Sequence, residues 1–332
     1  MTKILGILGG GQLGRMTALA AAEIGVQTII FCPERECPAS HVSAGTYFAD
    51  YDDEKALEEF AGMVDVISYE FENIPVETVR FLQKFKPVYP DDKTLEISQD
   101  RTVEKKFLND IGVPTARWKR IDSASDITNA IDEWGVDSLL LKSRRFGYDG
   151  KGQRPYYRGE DIEDAWNRLG EQPLIAEEFV SFEREISMII ARDKLGQISV
   201  YGPMENEHKN SILHKTTVPV EGLSDKLAKQ AHKYAHLLAE AVDLIGVLAL
   251  ELFVTTDGDV LANEIAPRPH NSGHWTIDAC AVSQFENHVR TVCGFNVGSS
   301  LRHSDAVMLN LIGEDMNDAP KYLEMENTCL HV

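Results

Sequence analysis

An α/β fold of more than one domain is predicted by three observations. The chain has 332 residues, of which 43% are hydrophobic and 26% charged, and such a chain usually forms two or three globular domains. Residues 1–90 alternate between strand and helix patterns, which favours a parallel sheet with right-handed crossovers. Beyond residue 180, a meander and a long hairpin replace this alternation, so an antiparallel unit is expected there.

The individual elements follow from local patterns. Apolar and β-branched runs predict strands, and an alanine-rich run that ends at Gly25 predicts the first helix. A later helix stops before Gly112 and Pro114, where a smaller unit begins. The predicted strands are 4–8, 28–31, 64–68, 138–143, 174–180, 185–191, 198–201 and the two arms of the hairpin 247–266; the predicted helices are 12–24, 100–111, 161–169 and 224–244.

Charge and composition exclude several classes of partner. The net charge of −20 repels phosphate backbones, so we expect no nucleic-acid partner. No run of about 18 apolar residues is present, and the first residues do not resemble a secretory leader, so we expect no membrane association. The five cysteines are odd in number and widely spaced, which favours reduced thiols and a cytoplasmic location.

The first glycine loop is Gly9-Gly10-Gly11-Gln12-Leu13-Gly14, between a predicted strand and a predicted helix. Its glycines allow a ligand to approach the backbone, and the helix N-terminus attracts an anion. A dinucleotide site would also need an acidic residue at the end of the second strand, but that strand runs into Cys32 and Pro33. A phosphate-bearing substrate is therefore favoured over a dinucleotide, and a tight structural turn remains an alternative.

The second glycine loop follows Lys142, which ends the strand Leu139-Leu140-Leu141. A lysine at such a position must extend to solvent or meet an anion. Three glycines and three further cations lie within the next ten residues, and backbone amides with a lysine suit a flexible cover over phosphates. The loop lacks the Walker pattern, and a solvated basic hairpin tip is the alternative interpretation.

Two glutamates in the hairpin 247–266 are predicted to face each other. Asp257-Gly258 favours a two-residue type I′ turn, which would pair Thr256 with Asp259 and Glu251 with Glu264. Like charges directly opposite each other destabilise a sheet unless they share a proton or hold a cation. Oxygen ligands favour magnesium, whereas a fully solvated hairpin would need no cation at all.

The segment after the hairpin, residues 266–274, places Arg268, His270, Asn271 and His274 beside the predicted metal site. An arginine there can stabilise a transferring phosphoryl group. A single histidine is usually structural, but the crowding of polar groups in this loop favours a functional role.

These motifs, in this order, resemble the ATP-grasp superfamily and, within it, the N5-carboxyaminoimidazole ribonucleotide synthetase family. The matching segments are 9–16, 69–73, 145–153 and 263–275. The resemblance implies an α+β ATP-grasp fold with a Rossmann-like N-terminal domain over residues 1–115, a small ATP lid over 116–183 and a C-terminal ATP-grasp domain over 184–332.

The resemblance also implies a reaction. ATP and bicarbonate would form carboxyphosphate, and 5-aminoimidazole ribonucleotide would then be carboxylated, in purine biosynthesis. ATP and Mg²⁺ would be required, and a homodimer is expected. Another ATP-grasp ligase that forms an acyl phosphate, such as a formate-dependent glycinamide ribonucleotide transformylase, remains an alternative, as do an oxidoreductase and a non-catalytic nucleotide-binding subunit.

The resemblance further implies roles for individual residues. The expected ATP-binding residues are Arg101, Lys142, Gly147, Tyr148, Asp149, Gly150, Lys151, Gly152, Gln153, Glu177, Glu178, Phe179, Val180, Glu185, His208, Asn263 and Glu264. Glu251 and Glu264 would bind the metal. Gly11, Gln12, Glu70 and Asn271 would bind substrate, and Tyr148, Asp149, Arg268 and His270 would be catalytic.

Two points qualify this assignment. In an uninterrupted hairpin, Asn263 would lie on the opposite face from Glu264, so its role requires a bulge or is indirect. Chains of the family usually continue beyond the segment matching 329–332 with a tail whose lysine and arginine reach the substrate phosphate. We therefore expect either a shortened form or weakened phosphate binding.

Overall fold

The computed structural model describes residues 3–147 and 151–331 of the chain, and it contains three β-sheets. The first sheet is parallel and has the strand order β3-β2-β1-β4, as the alternation of strands and helices predicts. Its strands are β1 (Ile4–Leu8), β2 (Gln27–Cys32), β3 (Gly45–Phe48) and β4 (Val66–Tyr69), with helices α1 (Gln12–Glu23), α2 (Glu54–Met63), α3 (Val76–Gln83), α4 (Asp92–Gln99) and α5 (Arg101–Asp110).

The second sheet is antiparallel and has the order β5-β8-β6-β7. Its strands are β5 (Trp118–Ile121), β6 (Ser138–Ser143), β7 (Gln153–Tyr157) and β8 (Leu174–Glu177), with helices α6 (Ala124–Trp134) and α7 (Ile162–Arg168). The second glycine loop connects β6 to β7. Strand β8 ends at Glu177 rather than at the predicted residue 180, so 178–180 lie outside the strand.

The third sheet is antiparallel, in the order β13-β12-β9-β10-β11-β14. It begins at Phe182, two residues before the predicted boundary at 184. Its strands are β9 (Phe182–Arg192), β10 (Ile198–Lys209), β11 (Ile212–Val218), β12 (Gly246–Thr255), β13 (Val260–Ala266) and β14 (Ala306–Leu309). The helices of this part are α8 (Asp225–Ala241), α9 (Thr276–Ala279), α10 (Gln284–Val292) and α11 (Ala319–Leu323), with 3₁₀ turns at Asn271–Gly273 and Gly313–Asp318. A further 3₁₀ turn, Pro38–His41, lies between β2 and β3 of the first sheet.

The hairpin of β12 and β13 differs from the predicted hairpin in its turn. The N–H of Thr255 donates to the carbonyl of Asp259 at 2.9 Å, and Gly258 has a φ of +79°. The loop is therefore the three residues 256–258, with glycine in the left-handed position that such loops require. The prediction of a two-residue type I′ turn is wrong.

A β-bulge in β13 restores the predicted pairing farther from the turn. Leu252 is opposite Ala262, whereas Glu251 is opposite Glu264, so Asn263 is the extra residue. A bulge places two residues of one strand against one residue of its partner. Glu251 and Glu264 consequently face each other as predicted, although through a different geometry, and the bulge that the role of Asn263 requires is present.

Helix α10 packs against the first sheet and joins it to the third. Leu5 and Val66 of the first sheet share a buried apolar cluster with Val289 and Val292 of α10. Within the same interface, the hydroxyl of Ser68 lies 2.8 Å from Nε2 of His288. Within the described parts of the chain, no helix has both the length and the apolar character needed to span a membrane.

Candidate active site

A cavity of about 590 Å³ lies where the three sheets meet. Most of the residues predicted to bind nucleotide, metal or substrate line this cavity, although they come from distant parts of the sequence. They are Gln12, Arg101, Lys142, Gly147, Lys151, Gly152, Gln153, Glu185, His208, Glu251, Asn263, Glu264, Arg268, His270 and Asn271. Tyr148, Asp149 and Gly150 lie outside the described residues.

The facing carboxylates form the acidic part of the cavity, and each has a cationic or proton-donating neighbour. Nη1 of Arg101 lies 3.0 Å from the carboxylate of Glu264, and Nε2 of His270 lies 3.0 Å from that of Glu251. Burial alone would raise the pKa of Glu264, but the Arg101 guanidinium outweighs burial and lowers it. Glu264 is therefore ionised at neutral pH.

Asn263 adds a third oxygen to this part of the cavity. Its side-chain Oδ1 is buried and has no hydrogen-bond partner among the described residues, which is an unfavourable state for a buried polar atom. No group of three or more His, Cys, Asp or Glu side chains gathers as a metal site within residues 3–147 and 151–331. Two carboxylates and one amide oxygen nevertheless suit a hard divalent cation that keeps further positions for phosphate and water.

Arg268 lies across the cavity and is held by a residue of the N-terminal sheet region. Its Nε donates to the carboxylate of Glu72, and the charge of Arg268 outweighs burial to lower the pKa of Glu72. His270 accepts from the N–H of Ser272 and so caps the 3₁₀ turn Asn271–Gly273. The predicted catalytic arginine and histidine thus reach the same cavity in fixed orientations.

The lysine at the end of β6 meets an anion, one of the two outcomes expected for it. Nζ of Lys142 lies 3.0 Å from Glu177, and the buried Nζ of Lys105 lies 3.4 Å from the other oxygen of the same carboxylate. Burial lowers the pKa of Lys142, in spite of the opposing effect of Glu177. Glu177 therefore neutralises two lysines, and its carboxylate lies behind the cavity wall.

The predicted linker residues Glu178, Phe179 and Val180 line a second, more open cavity of about 340 Å³. Arg117, Leu261 and the tip of the β12–β13 hairpin contribute to the same cavity. The four predicted residues 177–180 are thus divided between two environments. The main cavity and the second cavity are lined by different parts of the β12–β13 hairpin.

The pair Glu185 and His208 lies on neighbouring strands β9 and β10 at the cavity wall. Nδ1 of His208 contacts the Glu185 carboxylate. Burial lowers the pKa of His208, but the Glu185 carboxylate outweighs it, so the pKa is raised overall. Both predicted residues therefore line the cavity in contact with each other, and they form an ion pair when His208 is protonated.

The first glycine loop is arranged differently from the prediction. The N–H groups of Gly11 and Gly14 donate to the two carboxylate oxygens of Glu70, the Gly14 bond measuring 2.6 Å. A Cβ on Gly9 would lie 2.5 Å from the Glu70 side chain, so glycine there permits this approach. In this structure the Gly11 and Gly14 amides donate to Glu70 rather than to a phosphate, and the contact of this loop with substrate stays a prediction.

Burial raises the pKa of Glu70, although the two glycine amides act in the opposite direction. Gly11 and Glu70 are not among the described residues that line the main cavity, whereas their neighbour Gln12 is. At the N-terminus of α1, Gln12 therefore lines the main cavity, whereas the contact between Gly11 and Glu70 lies outside its lining.

The sequence reasoning missed several charged residues on and around α5. Nη2 of Arg144, in the second glycine loop, lies 2.6 Å from the carboxylate of Asp100, and Lys105 forms an ion pair with Glu177. Glu104 is buried, which raises its pKa to about 8. The available signal was a helix whose charged residues Arg101, Glu104 and Lys105 recur at helical spacing on the side that also carries Leu108.

Comparison with known proteins agrees with this geometry. Residues 106–285 match the ATP-grasp domain family, and residues 1–99 match the ribonucleotide synthetase preATP-grasp domain family. N5-carboxyaminoimidazole ribonucleotide synthase of Brucella melitensis is 48% identical over 330 residues, which cover 99% of this chain and 91% of that protein.

Solved structures show the same similarity. The N5-carboxyaminoimidazole ribonucleotide synthetase of Thermus thermophilus superposes with a TM-score of 0.90 at 41% identity, covering 97% of this chain and 87% of the other. An Aspergillus clavatus enzyme, in complex with ADP and 5-aminoimidazole ribonucleotide, gives a TM-score of 0.90 at 26% identity, covering 98% and 88%. The predicted fold class and family are confirmed. The chain belongs to the N5-carboxyaminoimidazole ribonucleotide synthase family and is an ATP-dependent ligase with an ATP-grasp fold.

Proposed function

We propose that this chain uses ATP and bicarbonate to convert 5-aminoimidazole ribonucleotide into N5-carboxyaminoimidazole ribonucleotide, in purine biosynthesis. The observation that supports this most directly is the pair Glu251 and Glu264, which face each other at a cavity that residues of both glycine loops also line. The Aspergillus relative that holds ADP and the aminoimidazole nucleotide supports the choice of substrates. A cytoplasmic homodimer is part of the proposal, by family resemblance.

Mg²⁺ fits the acidic part of the cavity. Glu251, Glu264 and the unpartnered amide oxygen of Asn263 would hold it. When bound, it would neutralise phosphate charge during transfer. Arg101 and His270, which now contact these carboxylates, supply positive charge or donated hydrogen bonds close to the same place.

The remaining basic residues are proposed to bind the phosphates of ATP. Lys142 and Arg101 line the main cavity together with Gly147, Lys151 and Gly152 of the second glycine loop. Glu185 would accept hydrogen bonds from the ribose hydroxyls. Recognition of the adenine by residues 177–180 rests on the family resemblance.

The proposed chemistry has two balanced steps. An oxygen of bicarbonate attacks the γ-phosphorus of ATP, the bond to the β-phosphate oxygen breaks, and carboxyphosphate and ADP result. In the second step, carboxyphosphate breaks its bond between carbon and the phosphate oxygen to give carbon dioxide and phosphate. The amine of the imidazole nucleotide forms a bond to the carbon of carbon dioxide, and the amine proton passes to phosphate. Arg268, held by Glu72, is positioned to stabilise the transferring phosphoryl group, with His270 and Asn271 at the same wall.

The test is ADP release by the purified protein with ATP, Mg²⁺, bicarbonate and 5-aminoimidazole ribonucleotide. We expect ADP formation to require the imidazole nucleotide, and ¹⁸O from labelled bicarbonate to appear in inorganic phosphate. Label in phosphate distinguishes an acyl phosphate formed from bicarbonate from direct hydrolysis of ATP by water.

Two outcomes would contradict the proposal. ADP release that depends on formate and glycinamide ribonucleotide, but not on the imidazole nucleotide, would assign the chain to a different ligase. Absence of substrate-dependent ADP release with all four components present would contradict the catalytic proposal itself.

A further inference from the structure

The outer edge of β13 has main-chain groups that are satisfied by side chains. Strand β13 is at the edge of the third sheet, and β12 pairs with its inner side. On the outer side, the N–H of Ala262 donates to the carbonyl of Pro114 at 2.7 Å. Beyond this point the Asn263 carbonyl accepts from Nζ of Lys105 at 3.3 Å, and the Ile265 N–H donates to Oε1 of Glu104 at 2.6 Å.

These side chains come from a single face of α5. Arg101, Glu104 and Lys105 are spaced i, i+3 and i+4, which brings them side by side on a helix. Arg101 binds the carboxylate of Glu264, so the helix contacts three consecutive residues, Asn263, Glu264 and Ile265. Leu108, one turn later on the helix, lies in the same apolar cluster as Ile265.

The contacted residues are those of the bulge, which decides where two functional side chains point. Side chains alternate along a strand, so a shift of one residue in the register exchanges the two faces. Asn263 is the extra residue of the bulge, and both Asn263 and Glu264 line the main cavity. Contacts that fix the main chain of Asn263 and Ile265 therefore fix the direction of Glu264 between them.

Unlike Arg101, Glu104 contacts the main chain of β13 rather than a carboxylate of the proposed metal ligands, and it also lines the main cavity. It is 2% exposed, and its hydrogen bond is to a main-chain N–H. A buried strand edge needs such an acceptor, because leaving a buried N–H unpaired is destabilising. This contact requires an acceptor oxygen at the right distance and does not require a negative charge.

We propose that Glu104 is a positioning residue, whose acceptor oxygen holds the bulge of β13 so that Asn263 and Glu264 both face the cavity. Lys105 performs the complementary task at the Asn263 carbonyl. The inference rests on the proposed function in treating Glu251 and Glu264 as metal ligands, but the hydrogen bond to Ile265 is independent of that assignment.

Three substitutions separate an acceptor role from a charge role. Glu104→Gln keeps an acceptor oxygen at the same distance and removes the ionisable carboxyl group. Glu104→Asp keeps a carboxyl group and shortens the side chain, so the acceptor no longer reaches Ile265. Glu104→Ala removes both, and Lys106→Ala, which breaks an exposed ion pair with Asp110 on the same helix, is the matched control.

The first measurement is hydrogen exchange of the main chain in peptides covering residues 260–266, in the full chain without ligand. We expect wild-type protection for Glu104→Gln and Lys106→Ala, and at least tenfold faster exchange at Ile265 for Glu104→Asp and Glu104→Ala. If Glu104→Ala fails to fold, the comparison of exchange at Ile265 between Glu104→Gln and Glu104→Asp is sufficient for the test.

The second measurement is binding of Mn²⁺ in the presence of ADP, followed by electron paramagnetic resonance. Loss of an outer partner of metal ligands typically weakens metal binding by about 10–100-fold. We expect such weakening for Glu104→Asp and Glu104→Ala, and less than about threefold weakening for Glu104→Gln.

Three results would overturn the inference. In the first, Glu104→Asp keeps exchange protection and Mn²⁺ binding better than Glu104→Gln does. In the second, hydrogen exchange at Ile265 is unchanged in every variant, and in the third, exchange becomes faster to the same degree in all three sheets. If wild-type protein binds no Mn²⁺ but the exchange pattern is as expected, the positioning role stands and the metal assignment of the proposed function fails.

Discussion

Glu251 and Glu264 face each other across two strands, and each carboxylate already has a partner. Arg101 balances Glu264, His270 contacts Glu251, and Arg268 balances Glu72. Removing one member of a buried pair leaves an uncompensated charge, which costs more than the pair itself contributes. Substitutions in the cavity must therefore keep the shape of the side chain if they are to report on chemistry rather than on folding.

The first prediction concerns Glu264. Glu264→Gln keeps the size of the side chain and an oxygen for Arg101 but removes the charge that a divalent cation needs. We expect ADP formation to fall by at least about 100-fold, measured at a temperature where circular dichroism shows the variant to be folded, and a lower melting temperature because Arg101 loses its charged partner. Glu240→Gln, on the exposed side of α8, is the control and should keep full activity; a Glu264→Gln enzyme of normal activity would remove Glu264 from the metal site.

At the scale of secondary-structure elements, the hairpin of β12 and β13 combines two irregularities. The three-residue loop at 256–258 shifts the strand pairing by one residue, and the bulge at Asn263 shifts it back. Bulges are frequent beside active sites, where they redirect a side chain. The two departures from regular pairing together bring Asn263 into the cavity beside Glu264.

The second prediction tests the loop through Gly258. Its φ of +79° is unfavourable for a residue with a Cβ, and a Cβ would meet no other atom within 4 Å. Gly258→Ala should therefore lower the free energy of unfolding by about 1 kcal/mol through backbone strain alone, as measured by denaturant unfolding.

A matched variant should have the opposite sign. Gly62, in helix α2, is also free of close neighbours, so Gly62→Ala should raise the free energy of unfolding by about 0.5–1 kcal/mol. Equal effects of the two substitutions would contradict the assignment of strain to the loop.

How far the sequence predicts these features depends on the range of the interactions. Glu251 and Glu264 face each other as predicted, although the turn was predicted wrongly. The three-residue loop and the bulge offset each other, and the bulge could not be predicted because turn residues do not specify it. The glycine at 258 fits both kinds of turn. Contacts such as Arg268 with Glu72 join residues 196 positions apart, and no local pattern indicates them.

The face of α5 was missed for a different reason. Charged residues on a helix normally indicate solvent, yet Glu104 and Lys105 are buried against a strand edge. The positions of β13 and of Glu177 next to α5 explain them. The parallel sheet, the second glycine loop and the order of the motifs were predictable because short-range periodicity and glycine spacing determine them.

At the scale of the whole molecule, the first and third sheets are joined through helix α10. Val289 and Val292 contribute apolar surface, and His288 contributes a polar contact to Ser68. His288 is 1% exposed, and burial lowers its pKa to about 4. The interface thus contains a neutral imidazole that takes up a proton much more readily when the chain unfolds.

The third prediction is an acid dependence of stability. An unfolded histidine has a pKa of about 6.5, so between pH 6.5 and 4 the unfolded chain binds a proton that the folded chain does not. The contribution is therefore fully present above pH 6.5 and is lost as the pH falls, by about 1 kcal/mol for each pH unit. His274, whose pKa burial and neighbouring cations lower to about 3, adds to the same trend.

The measurement compares wild type with His288→Gln in denaturant titrations followed by tryptophan fluorescence. At pH 7.5 the variant should be less stable, because the buried contact with Ser68 is altered. The difference should shrink below pH 6.5, since only the wild type has this group to protonate. A difference that stays constant from pH 7.5 to 5 would show that His288 does not titrate on unfolding.

The carboxylate of Glu70 gives the first glycine loop a resident anion. A pyrophosphate approaching the start of α1 would meet negative charge where a dinucleotide enzyme offers open amides. The acidic residue concerned, Glu70, follows β4 rather than β2. A search for the glycine pattern of residues 9–14 alone would therefore classify this chain among nicotinamide-binding proteins. The glycine pattern therefore specifies only the shape of the backbone. Which group accepts hydrogen bonds from its amides is decided by one side chain, Glu70, at the end of the adjacent strand.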